Sequence, residues 1–245
     1  MKKLSWITGI LICLMLLLAS LGAVCGAIDQ IAVDENFYGD MSRAAVAKYL
    51  AAENDGQVTA YIGMDAAQQD EFAAQMAAFM AGKTDVQPDI LNEKEQHHMI
   101  DVRNLTQTAA NMSKTYLYIA AALAIVAAWT GAKLKKRMLP KLAGVLSAVT
   151  IIMVIVQNIV NQIAGGGFED LFVQMHELIF TNDLWLMDPG TDILIRMMPQ
   201  PLFEQALVNG ASHALRMLIV VLVMLAAVHL IVERMIRRHV AKDEK

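Results

Sequence analysis

Two short stretches of this 245-residue sequence hold side chains able to move protons near neutral pH. The first is Glu95-Gln96-His97-His98-Met99-Ile100-Asp101-Val102. On a helix, His98 shares a column with Val102, Leu105 and Ala109, and His97 shares one with Asp101, Asn104 and Thr108. His98 is therefore on the apolar side and His97 on the polar side. Asp101 is within helical reach of both rings and could fix the tautomer of either, so spacing alone does not choose between them. The second stretch is Phe168 to Gly190, in which His176 stands in a column with Phe172 and Phe180. Thr181-Asn182-Asp183 reads as a turn, Trp185 as an interfacial anchor and Asp188-Pro189-Gly190 as another turn. Each stretch has a plain alternative. The first could be a surface histidine pair, and the second an interfacial amphipathic helix with one packed histidine.

Other chemistry is thinly represented. The only cysteines are Cys13 and Cys25, both in an apolar run near the start, so no thiol nucleophile or cysteine-rich metal site is expected. There is no phosphate-binding glycine loop, no Gly-x-Ser-x-Gly and no basic aromatic patch for nucleic acid. Neither a metal nor another cofactor is expected. A metalloenzyme would have to draw on His97, His98, Asp101 and His176, since imidazole and carboxylate suit zinc. His229 and Glu233, four residues apart, read as a surface pair.

The elements that must position these residues are largely apolar. Hydrophobic residues make up 56% of the chain and mean hydropathy is +0.44. The excess is gathered in four runs, Leu4 to Ala27, Thr115 to Ala132, Leu142 to Ile163 and Ala214 to Val232. Each is near the ~20 residues a helix needs to cross a bilayer. The first is longer than the ~7–15 apolar residues usual in a signal peptide, so an anchor is expected, with a cut near Ala23 or Ala27 as the alternative.

Charge gives the orientation. Lys2 and Lys3 precede the first run, Lys133 to Lys141 link the second and third, and Arg234 to Lys245 follow the fourth. By the positive-inside rule these segments, and hence both termini, are cytoplasmic. Residues 28–114 carry fourteen acidic side chains against six basic, and residues 164–213 seven against one. Both lie outside on this reading. The expected fold is mainly α, a four-helix transmembrane bundle with a small extracytoplasmic cap that is mostly helical and has room for a short strand pair. Its parts are a first span (1–27), the cap (28–114), the second and third spans with their basic link (115–163), an interfacial segment (164–213), and the fourth span with its tail (214–245). Within the cap, helices are expected at Ser42 to Glu53, at Ala66 to Ala81 with Asp65 as N-cap and Gly82 as stop, and from near Asn92 without a break into the second span. Gln57 to Ile62 is the strand candidate, and Asn209-Gly210 is expected to break the chain before the fourth span.

Over nearly its whole length the sequence resembles the bacterial lipoprotein intramolecular transacylase (Lit) family of integral membrane proteins. The motifs that carry the resemblance are Glu95…His98-Met99-x-Asp101-Val102 and His176-x-x-x-Phe180-x-Asn182-Asp183-x-Trp185-x-x-Asp188-Pro189-x-x-Asp192-x-Leu194-Ile195…Pro199…Phe203. The resemblance selects His98 over His97 and pairs it with His176. It implies an acyltransferase that moves the sn-2 acyl chain of an S-diacylglyceryl group onto the α-amine of the same N-terminal cysteine. The partners are then a lipid-anchored lipoprotein and membrane lipids, and the site sits at the outer face of the cell membrane. On this view His98 is the general base and His176 polarises the ester or protonates the leaving oxygen, or the reverse. Asp101 would orient His98, Asn182 and Trp185 would shape the site, and Met99 and Asp188 would support it. An intramolecular attack needs no enzyme nucleophile, which fits the missing serine and cysteine motifs. A non-catalytic lipid-binding scaffold is the other class the sequence allows, and the oligomeric state is not legible.

Overall fold

The computed structural model describes residues 2–41, 43, 65–133, 154–155, 158, 167–188, 190–198 and 200–243. In chain order the elements are α1 (Lys2–Ala32), a π-helical turn (Phe37–Met41), α2 (Ala66–Met80), α3 (Glu93–Lys133), α4 (Phe168–Ile179), α5 (Leu194–Met197) and α6 (Gln200–Asp243). No strand occurs among the described residues. The expected helix at 42–53, the strand at 57–62 and nearly all of the third span at 142–163 lie outside them. Three described helices are long and apolar enough to cross a membrane, within Ile7–Ala32, Glu93–Thr130 and Pro201–His239. A backbone in hydrocarbon must satisfy its hydrogen bonds within its own segment, which is why these apolar runs are helical.

Two compact units partition the chain. One comprises Met1–Ala27, Ala110–Gln157 and Ser212–Lys245. Its core is built on small residues, with Ala19 and Ala23 of α1 and Ala120, Ala124 and Ala127 of α3 fully buried beside Leu218, Leu222 and Leu225 of α6. Small side chains let helix backbones approach closely in lipid, where packing replaces the hydrophobic effect. Gly22 and Gly26 make a notch in α1. A Cβ on Gly22 would lie 3.0 Å from Leu117 and 3.3 Å from the carbonyl oxygen of Ser113, and one on Gly26 would lie 2.9 Å from Ser113 Oγ. Ser113 Oγ donates to the Gly22 carbonyl at 2.8 Å, and Thr8 Oγ1 to Thr130 Oγ1 at 3.1 Å. His229 and Glu233 are buried here rather than paired at the surface, with His229 Nε2 3.8 Å from Glu233 Oε2. They continue the inward column of Leu218, Leu222 and Leu225. Arg237 Nε bonds Glu233 at 2.9 Å.

The other unit comprises Ile28–Ala109 and Asn158–Ala211. α2 begins as expected, because Asp65 accepts from the Gln68 N–H while the Gln68 side chain accepts from the Asp65 N–H, a capping box. It ends in a Schellman arrangement, with Gly82 N–H to Phe79 O at 2.9 Å and Lys83 N–H to Ala78 O at 3.0 Å, and Gly82 at φ +71°. The core gathers Phe37 and Tyr38, Phe72, Met76, Phe79 and Met80 of α2, Met99 of α3, and Leu194, Met197 and Leu202. Arg103 stands 4.7 Å over the Phe79 ring and donates to Asp85 at 2.9 Å.

One expectation about the last helix is corrected. Asn209-Gly210 does not break it, since α6 runs through both residues. A glycine inside a helix costs only about 1 kcal/mol relative to alanine, and here it makes room, because a Cβ at 210 would lie 2.8 Å from Ile31 Cδ1. Pro201 sits in the first turn of α6, where its missing N–H removes no helical bond.

Candidate active site

α3 and α4 each present one histidine to the same place. The first turn of α3 carries Glu93 and Glu95, whose charges favour a helix N-terminus, and His98 lies one turn further on. Its ring is buried, 6% exposed, whereas the His97 side chain is 60% exposed and 3.9 Å from Glu93. The apolar column of α3 thus takes His98 inward. α4 is amphipathic, and it buries His176, 7% exposed, on the face that also carries Phe172. The two imidazoles stand with centroids 6.2 Å apart at 33°.

Aromatic side chains wall this pair. His176 has Phe172 at 4.0 Å, Trp185 at 5.1 Å and Phe180 stacked at 5.5 Å, and Phe180 also meets His98 edge-on at 5.1 Å. Phe203 of α6 backs Phe172 at 5.3 Å. In this buried setting His98 is pushed down to about 4, by burial first and then by His176, with Lys94 adding to it and the Asp101 carboxylate opposing. Burial also lowers His176, but the Phe172 carbonyl opposes the fall. That carbonyl is 2.7 Å from His176 Nδ1. In the neutral ring Nδ1 is therefore the protonated nitrogen, and Nε2 keeps its lone pair. His98 Nδ1 is buried and has no hydrogen-bond partner among the described residues.

Residues 7–203 match the lipoprotein intramolecular transacylase Lit family. The chain belongs to that family. It is a membrane-integral acyltransferase. Its fold is similar to that of the membrane-integral lipoprotein intramolecular transacylase Lit from Bacillus cereus, at TM-score 0.66 and 16% identity, covering 91% of this chain and 96% of that one. A histidine-to-arginine variant of the Bacillus cereus protein is similar at TM-score 0.55 and 16% identity, covering 97% and 99%. At that identity the likeness is one of fold. No curated protein sequence matches the chain.

The other site residues expected of this family member divide. Trp185 lies against His176. Asn182 Nδ2 donates to Asp101 Oδ2 at 2.9 Å, so Asp101 is engaged with the loop after α4 and reaches His98 only through its charge. Met99 points into the core with Met197 and Leu194. Asp188 closes its own turn, accepting the Gly190 N–H at 2.7 Å. Among the described residues no three His, Cys, Asp or Glu side chains converge as a metal site. Sequence reasoning passed over the anchoring of α3. Asn92 Oδ1 accepts the Glu95 N–H at 3.0 Å and Glu95 Oε2 accepts the Asn92 N–H at 2.8 Å. The pattern Asn92-x-x-Glu95 is a capping-box signature that could have located it.

Proposed function

We propose that this acyltransferase moves the sn-2 acyl chain of the S-diacylglyceryl group of a lipoprotein onto the α-amine of the same N-terminal cysteine, giving the lyso form. The observation that carries this reading is the pair of buried imidazoles inside an aromatic wall, in a chain of this family. The reaction needs one proton taken from nitrogen, one given to the glyceryl oxygen and a stabilised oxyanion between them. His176 is suited to the proton, because its Nδ1–H is held by Phe172, which leaves the lone pair of the neutral ring on Nε2. As the amine attacks the ester carbonyl, the C–N bond forms and the ammonium proton passes to His176 Nε2. As the C–O bond breaks, the same proton goes to the glyceryl oxygen. His98 stays neutral at physiological pH and donates to the carbonyl oxygen as it gains charge, which is the second of the two assignments the sequence leaves open. Asp101 and Asn182 pin the loop that brings Trp185 to the ring. Charge asymmetry supports both termini in the cytoplasm, four spans and the site at the outer face, with the sequence divided as given above.

Mass spectrometry of the N-terminal lipopeptide of a reporter lipoprotein tests this. The reporter is co-expressed in a host without its own N-acylation step. One acyl chain on the amine and one on the glycerol is the expected product. An unchanged diacylglyceryl peptide, with the protein folded in the membrane, would reject the reaction.

A further inference from the structure

Glu95 is fully buried, 0% exposed, although its side chain ends in a carboxyl group. Both of its oxygens are used. Oε2 accepts the Asn92 N–H at 2.8 Å and so caps α3. Oε1 accepts the N–H of Leu194, the first residue of α5. One side chain therefore caps two helix starts that lie far apart in sequence. Beside it, Asp192 gathers Asn92 Nδ2 at 3.0 Å, Lys94 Nζ at 3.1 Å and the Asp188 N–H at 2.8 Å. Lys94 Nζ also bonds the Leu186 carbonyl at 2.6 Å. The first turn of α3 is thus fastened to residues 186–194 at several points. His98 lies three residues after Glu95 on the same helix, and Trp185, which backs the His176 ring, directly precedes Leu186.

We propose that Glu95 is a positioning residue of the acyl-transfer site, a buried carboxylate that fixes the helix carrying His98 against the segment carrying Trp185. The proposal rests on the histidine reading above. Glu95 meets no reacting atom and acts through the placement of the two rings. An amide at 95 has one acceptor oxygen, so it must surrender one of the two backbone N–H groups, and a buried orphan donor forces the segment to shift. Displacement of about 1 Å in a catalytic constellation can cost about a hundredfold in rate.

The test is the Glu95→Gln variant of the full chain in lipid vesicles, assayed on a diacylglyceryl lipopeptide. Its kcat is expected to fall about 10- to 100-fold with KM within about twofold. Trp185 gives a second readout. In a Trp6→Phe, Trp129→Phe background, which serves as the reference, protonation of His176 quenches the neighbouring indole. Glu95→Gln is expected to reduce the size of that acid quench. A variant with reference kcat overturns the proposal, and so does lost kcat with an unaltered quench. If Glu95→Gln does not accumulate in the membrane, Asp192→Asn decides, since it loosens the same fastening, and unchanged kcat there overturns the proposal. Retained turnover in both His98→Ala and His176→Ala would reject the histidine reading. Lost turnover in those two, with Glu95→Gln and Asp192→Asn intact, would reject the positioning role alone.

Discussion

His98 and His176 are the same side chain in two settings, and the difference makes their roles separable. His98 is the more desolvated, and its Nδ1 has no hydrogen-bond partner among the described residues. His176 is tethered to a backbone carbonyl. Glutamine can donate a hydrogen bond but cannot carry a proton. His98→Gln should therefore keep part of the turnover, falling no more than the ~10²–10³-fold typical of losing one oxyanion donor. His176→Gln should fall by ~10²–10⁴ and gain nothing over His176→Ala. Single-turnover kinetics on a lipopeptide would compare them, and equal losses in all three variants would remove the distinction. The pH profile follows from the same setting. Both rings are held below their ordinary value, so neither imposes an acid limb at ~6.5, and log rate should rise with slope one toward the α-amine value of about 8. A slope of two setting in below pH ~6.5 would mean that a site histidine titrates normally. Stability has the matching sign. The folded state resists a proton that the unfolded chain accepts, so His98 costs stability as pH falls from the ordinary ~6.5 toward 4. Thermal melts of His98→Gln should lack that part of the acid slope.

At the scale of elements, local signals in the sequence predicted well and long-range ones did not. Asp65 and Gly82 marked both ends of α2, and the two columns of α3 put His98 on the buried side and His97 on the exposed side, because caps and faces are decided within one or two turns, while the choice of His98 for the site came from the family resemblance. Asn209-Gly210 misled because the price of a helical glycine is small beside the contact with Ile31, which no local pattern reveals. Met99 and Asp188, which the family resemblance brings in as supports of the site, respectively face the core and close a turn, a placement that no local pattern reveals. The burial of Glu95 depends on Leu194, on another element altogether. Gly82 supplies a prediction at this scale. It sits at φ +71°, and a Cβ there would lie 2.9 Å from Gln107 Nε2. Gly82→Ala should cost about 1–2 kcal/mol from the left-handed backbone alone. A double variant with Gln107→Ala should recover only the smaller, steric part, as read by melting in detergent.

For the molecule as a whole, the bilayer decides what can be packed. Within the unit that holds most of the apolar helix, close contact relies on Ala19, Ala23, Ala120 and Ala124 rather than on large side chains. Gly26→Val should therefore disrupt that unit more than a comparable enlargement at an exposed position such as Leu17, because a Cβ at 26 already meets Ser113 Oγ at 2.9 Å. The yield of folded protein on size-exclusion chromatography would measure it, and equal yields would count against the notch. The notch has a consequence in time as well. Gly22 receives the hydroxyl of Ser113, 91 residues further along the chain. At the ~5–20 residues per second of ribosomal synthesis, the second half of that contact emerges roughly 5–20 s after the first. Throughout that interval the notch in the first helix lacks the Ser113 side chain that fills it in the folded protein. Slowed elongation or any competing small-faced helix near the insertion site would act on this interval. That interval closes before His176 has been synthesised.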